Sequence, residues 1–238
     1  DMKLHERIHL VGSGEIGLSD TWDCHVYALE TAAGIVLIDA GGGRPAGVAA
    51  IEANLRADGL DPARITDVLL THWHKDHGGG AKVWRAKYGA KVWLNAIEQP
   101  LMASSEWACP IDGTPGHGDD LTFGDLTLKV IQVTSHSEGI CAYLLDLDGY
   151  RALFSADIVF ANGLIGLINY PGSSMDGYRA NLSRLAGLKV DGLFPGHLLF
   201  SIRRGQRHID IAIERVKGGF IPPSIGQSDI TMTIPDDY

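Results

Sequence analysis

The segment Val68-Leu69-Leu70-Thr71-His72-Trp73-His74-Lys75-Asp76-His77-Gly78-Gly79-Gly80 joins a short apolar strand to four metal-ligating side chains and three glycines. Imidazole nitrogens and carboxylate oxygens are the donor set of zinc and similar divalent ions. Just past a strand, alternate side chains point the same way, so His72 and His74 can grip one ion together. The turn that follows carries Asp76 and His77 toward a neighbouring position, the spacing that two ions a few ångströms apart require.

Other polar residues also gather at strand ends. Ile8 to Val11 forms a short strand, and Cys24 to Glu30 and Ile35 to Ile38 make a hairpin around Thr31-Ala32-Ala33-Gly34. The second arm ends at Asp39, before three glycines. Pro45 opens a helix that runs to about Asp58 and stops at Gly59. After the His-rich segment come a helix over Ala81 to Tyr88, a strand over Lys91 to Asn95, and an irregular stretch over 97–120 that can act as a lid. The second half repeats the theme, with strands at Leu121 to Phe123, Leu126 to Val133, Ile140 to Asp146 and Ala152 to Ser155. Helices are expected over Gly177 to Leu188 and Gln206 to Lys217, with an extended tail beyond Gly218. Sheet strands followed by helices, twice over, imply an α/β fold: an αββα sandwich of two mixed sheets with helices outside. One domain spanning 1–238 is expected.

Composition limits the partners. Twenty Lys+Arg against 29 Asp+Glu leave a net charge of -9, and phosphate contacts dominate nucleic-acid affinity, so no nucleic-acid partner is expected. No apolar run reaches the roughly 18 residues of a membrane span. Three unpaired cysteines favour a reducing compartment, and the start Asp1-Met2-Lys3-Leu4 lacks a signal-peptide core. The expectation is a cytoplasmic protein acting on a small molecule, as a monomer or a homo-oligomer.

Asp39, the H-x-H-x-D-H cluster, His136 in Val133-Thr134-Ser135-His136-Ser137, Asp157 in Phe154-Ser155-Ala156-Asp157 and His197 in Phe194-Pro195-Gly196-His197 resemble the five ordered motifs of the metallo-β-lactamase superfamily. The match spans Asp39 to His197, most of the chain. The resemblance implies that His72, His74 and His136 hold one ion, that Asp76, His77 and His197 hold a second, and that Asp157 bridges them. Asp39 would orient the ligands from behind. Two divalent ions are implied, zinc first, with iron or manganese as alternatives. A metal-bridging hydroxide would attack the substrate, with Asp76 taking up and passing on its proton.

Within the superfamily, the chain is similar to the lactonase and glyoxalase II-like branch. Only about 40 residues separate Asp157 from His197, so the inserted domain of the RNA-processing nucleases is not expected there. The spacing of the later ligands looks like that of acyl-homoserine lactonases, although Phe160 stands where those carry a tyrosine. The short helix and tail after His197 differ from the larger basic helical region of glyoxalase II-like thioesterases. The resemblance therefore implies a hydrolase of a small ester, lactone, thioester or amide. Two readings stay open beside it: a mononuclear iron enzyme similar to persulfide dioxygenases, and β-lactam hydrolysis. Trp107 and His117 in the irregular stretch can face a substrate. Phe160 and Ile165 in the apolar loop 160–170 either line the pocket, favouring an uncharged and partly apolar substrate, or pack in the core. His5, His9, His25 and His208 lack partner spacing and are expected to be structural, and Cys24 and Cys141 to be core residues.

Overall fold

A computed structural model describes residues 2–225. One sheet has six strands in chain order: β1 (Lys3–His5), β2 (Ile8–Gly12), β3 (Val26–Glu30), β4 (Ile35–Ile38), β5 (Ile65–Leu69) and β6 (Lys91–Trp93). The second has five: β7 (Asp120–Phe123), β8 (Leu126–Gln132), β9 (Cys141–Leu147), β10 (Tyr150–Ala156) and β11 (Gly192–Pro195), in the order β11-β10-β9-β8-β7. Both are mixed, with β4, β5 and β6 parallel in the first and β10 parallel to β11 in the second.

Strand β4 shows why the chain forms layers. All four of its residues are buried, yet alternate side chains leave opposite faces. Ile35 and Leu37 join the cluster under α1 (Pro45–Ala57) and α3 (Ala81–Tyr88). Val36 and Ile38 join the cluster between the sheets, with Leu10, Tyr27, Val130, Tyr143, Phe154 and Phe194. The outer face of the second sheet packs on α5 (Met175–Asn181) and α6 (Gly205–Lys217) through Leu153, Tyr178, Ile209 and Ile213. The order helix, sheet, sheet, helix is the expected αββα sandwich.

Helix α1 begins where the sequence predicts. Pro45 occupies its first turn, where a missing N–H costs nothing, and Val48, Ile51 and Leu55 form its buried stripe. Three elements differ from expectation. The turn after His74 is a short helix, α2 (Lys75–Gly78). The stretch over 97–120 contains α4 (Gln99–Ala103) and returns to the first sheet through a bridge between Trp93 and Gly113. The helix expected to reach Leu188 stops early: α5 ends at Asn181, and a tighter 3-10 turn over Leu182–Leu185 buries Leu182 and Leu185. The tail runs past Ile165, bridged by Ser224; beyond residue 225, including Pro235, it lies outside the described residues. No helix among the described residues is long and apolar enough to cross a membrane.

Topology brings the polar strand ends together. Strands β8 and β10 are both antiparallel to β9, so they run the same way, as does β11. The Tyr143 hydroxyl donates to the Leu70 carbonyl at 2.7 Å, and the Tyr27 hydroxyl donates to the Pro195 carbonyl at 2.7 Å. These bonds tie the C-terminal ends of β5 and β11 to the opposite sheet. Between the sheets, Phe154 packs against the rings of Tyr27 at 5.3 Å and Phe194 at 5.5 Å. Phe154→Ala is expected to destabilise the fold by about 3–5 kcal/mol, read as a lowered urea midpoint; a loss below about 1 kcal/mol would place the inter-sheet core elsewhere.

Candidate metal centre

Every motif residue sits just past a strand. Asp39 follows β4, His72 to His77 follow β5, His136 follows β8, Asp157 follows β10 and His197 follows β11. Three of these turns hold a non-glycine residue in the left-handed region: Asp39 (φ 62), Ala156 (φ 50) and Leu198 (φ 63). Such residues cost free energy unless their surroundings hold them, and here each is a site residue or adjoins one. Gly196 meets a different demand: a Cβ there would lie 2.3 Å from Asp157 Oδ1 and 2.6 Å from His77 Cε1.

Two triads converge. His72 Nε2 and His136 Nε2 lie 3.0 and 2.9 Å from His74 Nδ1. Nearby, His197 Nε2 is 3.0 Å from Asp76 Oδ2 and 3.3 Å from His77 Nε2. Asp157 Oδ2 stands between them, 3.5 Å from the Nε2 atoms of His77 and His136 and 3.6 Å from that of His197. Asp157 Oδ1 is buried with no hydrogen-bond partner.

Hydrogen bonds behind the ligands set their tautomers. His77 Nδ1–H donates to Asp39 Oδ2 at 2.8 Å. Asp39 also accepts from the Thr71 backbone N–H and from the Thr71 hydroxyl. With its own proton given to Asp39, the Thr71 oxygen accepts from His72 Nδ1–H at 3.0 Å. His136 Nδ1–H donates to the Gly166 carbonyl. The remaining nitrogens of His72 and His136 therefore face inward as lone pairs, and the remaining nitrogen of His77 faces inward beside them. Lone pairs meeting at hydrogen-bond distance repel unless a proton or a cation lies between them, so the residues present fit divalent cations. His72, His74 and His136 form one possible ligand group; Asp76, His77 and His197 form another, and His72, His77 and Asp157 a third that links them.

The two triads differ electrically. Burial, then the neighbouring imidazoles, hold His72 well below the ordinary histidine range and His74 down to about 3. Burial also lowers His136. For His197 burial acts downward too, but Asp157, Asp76 and Glu15 outweigh it and raise the imidazole to about 10. His77 is raised in the same way by the carboxylates around it.

Three contributors carried no signal in the sequence. Glu98, fully buried, accepts from Trp73 N–H at 3.1 Å, the Ser137 hydroxyl at 2.9 Å and Gly139 N–H at 2.7 Å. It thereby clamps the loop of His72 and His74 to the loop of His136. Glu15 lies 3.4 Å from His197 Nδ1 and accepts from Leu198 N–H. Cys24, expected as a plain core residue, is buried within reach of Asp39 and His77; burial pushes its thiol up, so it stays protonated. The local sequence around Glu98 and Glu15 has no motif, because their partners are tens of residues away.

The substrate-facing expectations fare unevenly. Trp107 lines a cavity of about 260 Å³ beside His74, together with Trp73, Lys75, Ile168 and Tyr170. His117 is exposed, near Arg184, and lines neither this cavity nor the larger one at His197. Phe160 and Ile165 are fully buried, with Ile165 in the core cluster under α6. These two are core residues, whereas Ile168 and Tyr170 of the same loop line the cavity beside His74. The lone histidines are engaged elsewhere: His9 pairs with Asp58, His25 with the Leu198 carbonyl, His208 with Asn162 N–H, and His5 stacks on Tyr150.

Residues 19–197 match the family model of the metallo-beta-lactamase superfamily. The chain belongs to the metallo-beta-lactamase superfamily. Relatives within it include a hydroxyacylglutathione hydrolase of Bradyrhizobium sp., 32% identical over 55% of this chain and 49% of that protein. Another is the thioesterase pkgB of Emericella nidulans, 27% identical over 73% of this chain and 45% of that protein. The chain spans about half the length of these curated relatives. Among solved structures, BJP-1, a subclass B3 metallo-beta-lactamase of Bradyrhizobium japonicum, superposes with a TM-score of 0.70 at 24% identity, covering 92% of this chain and 91% of that one. The FEZ-1 metallo-beta-lactamase of Legionella gormanii gives 0.71 at 16% identity, covering 92% and 94%. At these identities the superpositions establish the shared fold.

The unequal imidazoles predict unequal pH dependence of metal binding. His72, His74 and His136 are neutral at pH 7 and release no proton to a cation. His197, raised to about 10, and His77, raised as well, hold protons that a cation must displace, and acid strengthens their hold. In a zinc titration at pH 6, 7 and 8, the step that fills the triad of Asp76, His77 and His197 should lose at least about tenfold in affinity per unit of falling pH, while the step at His72, His74 and His136 changes little. Equal slopes for both steps would contradict this assignment.

Proposed function

We propose that this chain is a dinuclear metal-dependent hydrolase, with zinc as the metal, that cleaves a small ester, lactone, thioester or amide. The observation that carries the reading is the position of Asp157, whose Oδ2 lies within 3.6 Å of ligand nitrogens from both triads. A single-ion centre has no need of a carboxylate between two triads. In this reading His72, His74 and His136 hold one ion, Asp76, His77 and His197 hold the other, and Asp157 bridges. Such a pair supplies a water acidic enough to attack at neutral pH and charge to stabilise the developing oxyanion.

The protein's own groups do the rest. Asp76 is the most exposed carboxylate of the set, with just under a third of its side chain open, and it faces a cavity of about 480 Å³ that also reaches His197 and Glu15. It is placed to take up a proton from the attacking water and pass it to the leaving group. Asp39, behind the ligands, keeps the His77 and His72 nitrogens turned inward. No hydroxyl or thiol nucleophile is required: Ser135 donates to the Val133 carbonyl and Ser137 to Glu98. Hydroxyacylglutathione hydrolases and a thioesterase among the relatives support thioesters as the first bond class to try.

The test is a hydrolysis screen of zinc-loaded protein on a thioester, a lactone, an aryl ester and a β-lactam. Turnover of a thioester, lactone or ester should vanish with chelator and return with zinc. Asp76→Ala should lower kcat by about 10²–10⁴-fold. Cleavage of the β-lactam alone would move the assignment to that reaction, and no metal-dependent turnover on any of them would contradict the proposal.

A further inference from the structure

Two cavities adjoin the candidate metal centre, and their linings differ. The larger one reaches His197 and Asp76, and it carries three carboxylates and two cations among its lining residues. The smaller one opens beside His74 and is an aromatic slot. The Trp73 and Trp107 rings stack at 5.8 Å with an interplanar angle of 11°, and Tyr170 stacks on Trp73 at 5.8 Å and 29°. Tyr170 also meets His74 edge-on at 5.1 Å, and Ile168 completes the wall. About half of the Tyr170 surface is open to solvent, so the slot is accessible from outside.

One residue lines both cavities, Lys75. Its ammonium lies 5.6 Å from the centre of the Trp107 ring. Its nearest carboxylate is Glu106, 3.9 Å away and itself almost fully exposed, a pairing that holds the charge only weakly. The other cation at the rim is engaged: Arg44 contacts Asp20 at 3.4 Å and stacks over Trp22 at 5.2 Å. Lys75 is thus the available positive charge between the slot and the other cavity.

We propose that the slot receives a flat aromatic group bearing an anionic substituent, with the ring against Trp107 and Tyr170 and the anion at Lys75. The chemistry follows from the lining. Planar faces favour a planar partner over an aliphatic one of equal size, and an ammonium at the edge favours an anion there. Resting on the hydrolase reading, this makes the substrate an aryl-bearing, negatively charged acid derivative, whose scissile bond lies over the metal centre beside His74.

Binding tests this without turnover. The probes are 2-naphthalenesulfonate, the saturated decahydronaphthalene-2-sulfonate and the neutral 2-naphthalenemethanol, measured by calorimetry on zinc-loaded protein; sulfonates are weak zinc ligands, so the metals do not mask the slot. Naphthalenesulfonate should bind on the order of 10-fold tighter than its saturated counterpart. Trp107→Ala should erase that preference. Because the Trp107 indole also donates to the Trp73 carbonyl, Tyr170→Ala, at an exposed position, provides a second variant that leaves this brace intact, and it should weaken the same preference. Lys75→Gln should remove the advantage of naphthalenesulfonate over the alcohol while keeping the ring preference. Equal binding of the two sulfonates, or a ring preference that survives both aromatic variants, would overturn the proposal. Ring-selective binding without any metal-dependent hydrolysis would leave the slot standing and contradict only the hydrolase reading.

Discussion

The carboxylate of Asp39 is the constraint on which the rest of the site depends. It ends β4 in a left-handed conformation and receives the Thr71 backbone N–H, the Thr71 hydroxyl and His77 Nδ1–H. One side chain thus joins the ends of two parallel strands and sets imidazoles in both triads: His77 directly, and His72 through Thr71. An amide in its place could not accept all of these donors. The inward lone pairs, the convergence of the triads and the fit to divalent cations follow from that arrangement.

Around this centre the two sheets contribute in parallel ways. The first supplies Asp39 and the segment His72 to His77, and the second supplies His136, Asp157 and His197. Carboxylates hold the contributions together across long stretches of chain. Glu98 binds the His72–His74 loop to the His136 loop, and Glu15 reaches His197 from the segment before β3. Backbone bonds add to this, with His25 N–H donating to the Gly196 carbonyl and Cys141 N–H to the Thr71 carbonyl. A site built from five separate strand ends needs such cross-links, because each ligand must be held to within a fraction of an ångström.

The ligand types, their order and their strand-end positions were legible in the sequence because each is a local feature: a run of His and Asp beside an apolar strand. The layered fold was legible for the same reason, since the period-two strands and the Pro45 helix start are local. What escaped was long-range. Glu98 and Glu15 act on residues 25 or more positions away, and nothing near them marks it. The slot joins Trp73, Trp107 and Tyr170 from three separate segments; Trp107 and the loop 160–170 were candidates one by one, but nothing local marks that they meet. For Phe160 and Ile165 the sequence leaves pocket and core open, because an apolar loop can turn either way; the pairing of Val159 with Ile165 holds its first part inward, while Ile168 and Tyr170 reach the cavity. The early end of α5 left no mark in the sequence, because the spacing of the buried Leu182 and Leu185 suits either an α-helix or a 3-10 turn.

The most direct test of the central claim is elemental analysis of the protein purified without added metal. Two triads bridged by one carboxylate predict close to two zinc ions per chain. Close to one iron per chain with little zinc would contradict the dinuclear centre and point instead to oxygen chemistry at a single ion.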